Sequence, residues 1–359
     1  MMNRSVYIIA EAGINHNGSL SRAKELIDCA AEAQADAVKF QSFRTELLVS
    51  RTAPKAEYQA VNDEGSSTQF DMLKEVELSE DSHHELEEHA RKRGVQFLST
   101  PFETTSLKFL TEKLGMETIK VPSGELTNGP FLLEVARKAK SIILSTGMGN
   151  LDEIRMALKL IAYGFSEVSE RVPGFDLLEE LTAEQLDCLR ERVTILHATT
   201  EYPAAMADIN LRAMKSIQDR FGLPVGYSDH SPGIIVPIAA TALGASVIEK
   251  HFTLDKTLPG PDHKASLDPK ELKQMVRAIR DTELALGDGE KRPAESEKKN
   301  MPIARKSLHA SRPIEKGEAF TAENLSIKRP GNGVSPLKYW EYLGNPASQD
   351  YQTDELINE

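Results

Sequence analysis

The chain has 359 residues, 40% of them apolar and 27% charged, with a formal net charge of −12 at pH 7. That length exceeds an average domain and suffices for one large core plus a small appendage. The acidic balance argues against nucleic acid or an anionic membrane as main partner, no apolar run approaches a membrane span, and the two cysteines, Cys29 and Cys188, do not make a disulfide framework. A reducing cytoplasm is therefore the expected compartment. The N-terminal run Val6–Ala10 is too short for a signal peptide and is expected to form a first strand.

From Val6 onward the chain repeats one unit: a short apolar run, a polar or glycine-rich break, then a helix. The runs are Val6–Ala10, Ala37–Phe40, Val95–Leu98, Thr118–Val121, Ser141–Leu144, Val193–Leu196, Leu223–Gly226 and Ser246–Ile248. Eight such units predict an α/β fold of the TIM-barrel type, (β/α)8, with chemistry on the segments that follow each strand. An open doubly wound sheet is the alternative. It would gather reactive residues at one switch point, whereas here they follow all eight runs.

In order, the strand ends carry Glu11 with Asn15-His16-Asn17-Gly18, then Lys39 and Gln41, then Ser99-Thr100 and Lys120 with Ser123 and Glu125. After these come Ser145-Thr146, then His197 with Thr199-Thr200-Glu201-Tyr202, then Ser228 with His230, and last His251. A lone lysine after a strand usually snorkels to solvent. Eight polar ends at one barrel mouth exceed what solubility needs, because the opposite ends of these strands lack the pattern. His230 and His251 each end an apolar strand, and imidazoles at adjacent strand ends can share one divalent ion. Two protein ligands leave positions for water and substrate, which suits a catalytic metal. The competing reading has each histidine hydrogen-bonding a neighbour. A Pro259-Gly260-Pro261 turn then holds Asp262 and His263 on a stiffened loop.

Leu20–Ala35 has the pattern of an amphipathic helix, and Ser79–His89 that of a capped helix with a solvated charged face. His83, His84 and His89 are expected to be exposed on that face. Gly164–Arg192 is longer than a βα connection requires; its stretches Leu177–Leu181 and Ala183–Leu189 are expected to add a helix to the barrel wall or to a subunit contact. The barrel is assigned to residues 1–286. The polar, charged stretch 287–300 is expected to be a linker, and 301–359 a loop-rich domain near the lower size limit for independent folding. Arg329, followed by Pro330, is that domain's candidate functional residue, against the plainer reading of a solvated charge.

These residues resemble the bacterial sialic acid synthases, including N-acetylneuraminate synthase and its legionaminic acid relatives. The resemblance rests on Ala10–Gly18, Val38–Gln41, Leu98–Phe102, Lys120–Glu125, Leu144–Met148, Thr200–Pro203, Gly226–His230, Ile248–Phe252, Gly260–Asp262 and Lys328–Gly333, in order over nearly the whole chain. It implies a TIM barrel joined to a C-terminal antifreeze-like (SAF) domain that crosses to the partner subunit of a swapped homodimer. It also implies a divalent metal, Mn2+ or Mg2+, on His230 and His251. Lys39, Thr100, Lys120, Ser123, Ser145 and Ser228 would grip the phosphate and carboxylate of phosphoenolpyruvate. Glu11, Gln41, Tyr202 and Asp262 would line the sugar side, with Glu125 near the reacting centre. Arg329 would contact the N-acyl group in the neighbouring subunit's site.

The implied reaction condenses phosphoenolpyruvate with an open-chain N-acylated amino sugar, N-acetylmannosamine, and water. The segment Ala198-Thr199-Thr200 stands where some N-acetylneuraminate synthases carry an asparagine; the threonines, with Ala204 after Pro203, also suit legionaminic acid synthases. The alternative sugar is accordingly 2,4-diacetamido-2,4,6-trideoxymannose. Two further readings are a Schiff-base aldolase working through Lys39 or Lys120, and a non-catalytic carbohydrate- or ice-binding protein.

Overall fold

The computed structural model describes residues 5–62, 66–166 and 180–358. Its eight parallel strands are β1 Tyr7–Gly13, β2 Ala37–Ser42, β3 Gln96–Pro101, β4 Thr118–Val121, β5 Ser141–Ser145, β6 Val193–Ala198, β7 Val225–Asp229 and β8 Val247–His251. They pair in the order β3-β2-β1-β8-β7-β6-β5-β4. The two ends of that order, β3 and β4, lie side by side, so the sheet closes into a nearly complete (β/α)8 barrel. Most strands run past the apolar segments that predict them. Glu11, Lys39, Gln41, Thr100, Ser145, Ser228 and His251 are thus held by strand ladders rather than by loops.

Alternation along the strands builds the site. The inward residues Ile9, Ala37, Leu98, Ile143, Leu196 and Val247 form one buried apolar layer. Two residues further on, the same faces carry Glu11, Lys39, Thr100, Ser145 and Glu249, so a polar layer rests on an apolar floor. The outward faces, among them Ile8, Val38, Phe40, Ile142 and Ile248, pack into the larger core shared with the helices. Lys250 and Asp229 are the exception on that side. Both are fully buried, and Lys250 Nζ lies 2.6 Å from Asp229 Oδ2, so each charge is compensated where water cannot reach it.

The helices follow their caps and apolar stripes. Leu20–Glu32 is capped by Ser19 and buries Ala23, Leu26, Ile27 and Ala30. Glu80–Arg93 starts at Ser79 and ends at Gly94 in the left-handed conformation. On this helix the expected exposure of the histidines fails for His83, which is buried with Leu86 and Ala90. Its ring nitrogens meet Ser42 Oγ at 2.7 Å and the Ser79 carbonyl at 2.9 Å. His84 is exposed, and His89 is half-buried beside Asp28, 2.8 Å away. Ala183–Arg192 forms a helix that buries Leu189 and packs on Leu151–Phe165; residues 177–179 lie outside the described residues.

The chain divides into two compact units, 1–287 and 288–359. The second begins with short helices, Glu295–Lys298 and Met301–Ala304. Its antiparallel pair, β9 Ser307–Ala310 and β10 Leu325–Lys328, covers a small core that includes Leu308, Ile314, Phe320 and Tyr351. Among the described residues, no helix is long and apolar enough to cross a membrane.

Candidate active site

A cavity of about 360 Å³ opens at the carboxyl ends of the strands, and Thr200 together with every barrel residue to which the resemblance gives a role lines it; Asn15, His16, Asn17, Ser99, Thr146, His197, Thr199, Glu201 and His263 do not. Its deepest part is a buried charge network. Lys39 Nζ lies 2.6 Å from Glu11 Oε2, 3.5 Å from Glu249 Oε2 and 2.8 Å from Thr100 Oγ1. Lys120 Nζ lies 3.3 Å from Glu249 Oε1, to which Ser228 Oγ donates at 2.7 Å. Glu249 was missed as a site residue in the sequence. The available signal was its place between Val247 and His251 on the inward face of β8.

Burial pushes the Glu11 carboxyl up, against the pull of Lys39. Burial alone would also raise Glu249, but the ammoniums of Lys120 and Lys39 and the Ser228 hydroxyl hold it well below the carboxylate range. Burial lowers Lys120, with Glu249 opposing, whereas on Lys39 the two carboxylates outweigh burial and raise it. Two ammoniums and two carboxylates sum to no net charge. A multiply charged anion entering here must therefore bring counter-charge or protons with it.

Around this network stand hydroxyls with spare capacity. The Gly147 N–H donates to Ser123 Oγ at 3.0 Å, leaving the Ser123 proton free to face the cavity. Ser145 Oγ and Thr200 Oγ1 are buried and have no hydrogen-bond partner among the described residues. Such orphaned groups are rare in folded proteins and are commonly satisfied by a ligand or water. A Cβ on Gly147 would lie 2.2 Å from Thr200 Oγ1 and 2.9 Å from Ser123 Oγ, so the backbone must come this close without a side chain.

The histidine end lies beside it. The His230 and His251 rings are 5.4 Å apart between centroids, with Tyr202 packed on both at 4.1 and 5.5 Å. His230 Nδ1 donates to the Thr199 carbonyl at 2.6 Å, which leaves the Nε2 lone pair available. His251 Nδ1 is buried without a hydrogen-bond partner, 3.7 Å from Asp262 Oδ2. Burial lowers His230 to about 4, and burial together with the neighbouring His230 lowers His251 well below the usual imidazole range. Both rings are neutral at neutral pH, the form a metal requires. No group of three or more His, Cys, Asp or Glu among the described residues is arranged to hold a metal. The pair thus fits a part-site completed by water or substrate.

Burial raises the Asp262 carboxyl to about 7. Glu125 is half-buried, raised by that burial, and accepts from Asn128 Nδ2 at 2.6 Å. Part of the lining is apolar: Ile14, Leu48, Val49, Met72, Leu73 and Phe102, with the Tyr58 ring packed at a tilt on Tyr202, 5.1 Å away. Sequence reasoning missed this wall because Leu48, Val49, Met72 and Leu73 come from the short helices after β2, Thr45–Leu48 with its cap and Gln69–Val76, that belong to no βα repeat. Arg329 belongs to the second unit, where it is exposed and its Nε donates to the Ala304 carbonyl at 3.0 Å.

Residues 26–291 match the NeuB family, and residues 305–358 match the SAF domain. The chain is 48% identical over 356 residues to the N,N'-diacetyllegionaminic acid synthase of Campylobacter jejuni, covering 99% of this chain and 100% of that protein. It is 46% identical over 346 residues to the Legionella pneumophila protein of the same name, covering 96% and 91%. It is 33% identical over 355 residues to human N-acetylneuraminate-9-phosphate synthase, covering 98% and 91%. A solved structure of N-acetylneuraminic acid synthetase from Leptospira borgpetersenii superposes with a TM-score of 0.68 at 32% identity, over 83% of this chain and 90% of that one. The chain belongs to the NeuB family of sialic acid synthases, a TIM barrel followed by a SAF domain.

Proposed function

We propose that the chain is a phosphoenolpyruvate-dependent nonulosonic acid synthase whose sugar is 2,4-diacetamido-2,4,6-trideoxymannose, with N-acetylmannosamine as the second choice. The observation that carries this reading is the cavity floor. Two buried ammoniums, Lys39 and Lys120, stand among under-partnered hydroxyls beside a pair of neutral imidazoles. Phosphoenolpyruvate presents a phosphate and a carboxylate, and charge-assisted hydrogen bonds from both lysines would offset their lost hydration. The sugar choice is supported by 48% and 46% identity to proteins named for diacetyllegionaminate, against 33% to one named for N-acetylneuraminate 9-phosphate. It is also supported by the apolar wall of Ile14, Leu48, Val49, Met72 and Leu73. A 6-deoxy methyl and acetamido methyls pack on such a wall, whereas sugar hydroxyls buried there without partners cost about 1–3 kcal/mol each.

In the reaction, C3 of phosphoenolpyruvate bonds to the aldehyde carbon, and the aldehyde oxygen takes a proton to become a hydroxyl. Water adds at C2 and the C2–O bond to phosphate breaks, giving a nine-carbon 2-keto acid and phosphate. A divalent ion, Mn2+ or Mg2+, held by His230 and His251 would supply Lewis-acid polarisation of the aldehyde. Lys39 and Lys120 hold the anion, with Thr100, Ser123, Ser145, Thr200 and Ser228 completing its hydrogen bonds. Glu11, raised by burial, can carry a proton at its carboxyl beside Lys39. Gln41, Tyr202 and Asp262 orient the sugar, and Glu125 would stand near the reacting centre.

The same reading includes a cytoplasmic homodimer in which Arg329 of one protomer contacts the N-acyl group in its partner's cavity. Exposed Leu337 and Trp340 on the small unit, and exposed Met148 and Ile235 on the barrel, support a covered face in the assembly. The test is phosphate release from phosphoenolpyruvate with Mn2+ and each sugar. Release should match sugar consumption and be faster, per kcat/KM, with the diacetamido sugar. A borohydride-stable keto-acid adduct on Lys39 or Lys120 would overturn the proposal in favour of a Schiff-base aldolase.

A further inference from the structure

The segment Asn15-His16-Asn17-Gly18 after β1 is rich in polar side chains, yet none of these four residues lines the cavity. The side chains of Asn15 and Asn17 bond instead to the segment that carries Asp262. Asn17 sits in the left-handed region at φ +47°, and its amide bridges two groups of that loop. Nδ2 donates to the Pro259 carbonyl at 2.8 Å, and Oδ1 faces His263 Nε2 at 3.0 Å. The first bond sets which way the amide points, so the second sets the His263 tautomer. Nε2 carries the hydrogen, and Nδ1 accepts from Thr253 Oγ1 at 2.7 Å. His263 is fully buried, and burial lowers it to about 4, which keeps the ring neutral.

A second set of bonds braces the other side. Asn15 Nδ2 donates to the Phe252 carbonyl at 2.8 Å and to Ser266 Oγ at 2.9 Å, and Ser266 Oγ donates to the Asp262 carbonyl at 2.7 Å. Gly260, at φ +140°, lies directly against the pair: a Cβ there would stand 2.9 Å from His263 Cδ2 and 3.2 Å from Asn17 Oδ1. The backbone of Asp262 is thus tied to the β1 loop on both sides, while its carboxyl faces the cavity.

We infer that Asn17 and His263 form a latch that sets where the Asp262 carboxyl stands, making both of them positioning residues for sugar recognition. The inference rests on the reading of Asp262 as a sugar-side residue. It goes beyond that reading by assigning a task to a motif that does not line the cavity.

The experiment compares Asn17→Ala, His263→Asn, His263→Gln and the double variant Asn17→Ala/His263→Asn in the full-length protein. The readouts are separate KM values for phosphoenolpyruvate and the diacetamido sugar, and hydrogen–deuterium exchange over residues 253–267. Asn17→Ala and His263→Asn should each raise the sugar KM about tenfold while the phosphoenolpyruvate KM stays within about twofold, since a displacement near 1 Å is enough for such losses. His263→Gln should retain most of the affinity, because its amide nitrogen can stand where Nε2 stood; the asparagine cannot reach. The double variant should be no worse than either single one, because both break the same bond. Exchange over 253–267 should quicken in Asn17→Ala while the barrel strands keep their protection. The latch is overturned if the sugar KM or the loop exchange is unmoved in Asn17→Ala, or if both KM values rise together. A wild-type protein that turns over neither sugar would sink the functional reading instead, and the exchange result would still decide the latch.

Discussion

Lys120 is the residue on which the proposed anion site turns. It is buried and held 3.3 Å from Glu249; burial lowers its pKa, and the carboxylate opposes that shift. Lys120→Met removes that charge at nearly constant volume. The phosphoenolpyruvate KM should rise about 10- to 100-fold, the range expected for losing hydrogen bonds to a charged group, with the sugar KM little changed. Steady-state kinetics with each substrate varied in turn checks the split. Much of this end was legible from residue type and position, since cationic and hydroxyl residues follow successive apolar runs. Glu249 was not, because attention to strand ends overlooks a residue two positions before the last one. His83 was misread for a related reason: a helix rich in charge looks solvated throughout. Its spacing to Leu86 and Ala90, three and seven residues on, places it on the buried face.

At the scale of elements, β7 and β8 show why polar residues can sit on both faces of one strand. Glu249 and His251 face the cavity, and Lys250 between them faces the helices, where Asp229 meets it. Lys250→Met leaves the Asp229 carboxylate buried and unpaired. It should cost about 3–5 kcal/mol in urea unfolding, whereas replacing both members with apolar residues should cost far less. A second element-level contact joins the start of β1 to the helix Pro269–Leu286. Glu283 accepts from the Val6 N–H, from Ser5 Oγ at 3.1 Å and from Arg280 at 3.0 Å. Burial would raise this carboxyl, but those three donors outweigh it and hold it below its ordinary value. A depressed folded value means stability that is fully present above the unfolded value, near 4.3, and lost as the pH falls below that value and through the lower folded one. Glu283→Gln should therefore cost on the order of 1 kcal/mol at pH 7, and the gap to wild type should close below about pH 4. The barrel strands were legible because each apolar run ends at a polar or glycine-rich break. The apolar wall was not, because the short helices after β2 fall outside the repeating unit.

At the scale of the whole molecule, the two compact units divide the proposed work. In the proposed reading the barrel would hold both reactants, and Arg329 on the small unit would reach the partner's cavity. That assignment makes a prediction no single-chain enzyme would share. Arg329→Ala and His251→Ala should each be inactive alone. Mixed and re-associated, they should recover about a quarter of wild-type activity, because half the dimers are mixed and each of those restores one intact site. No recovery, with mixed dimers demonstrated by mass, would place Arg329 in its own chain's site or in none.

The measurement closest to the central claim is the mass of the product formed from phosphoenolpyruvate, Mn2+ and 2,4-diacetamido-2,4,6-trideoxymannose. The account predicts a nine-carbon 2-keto acid bearing both acetamido groups, formed one-for-one with phosphate. Pyruvate in place of the keto acid, or phosphate released at the same rate without any sugar, would contradict it.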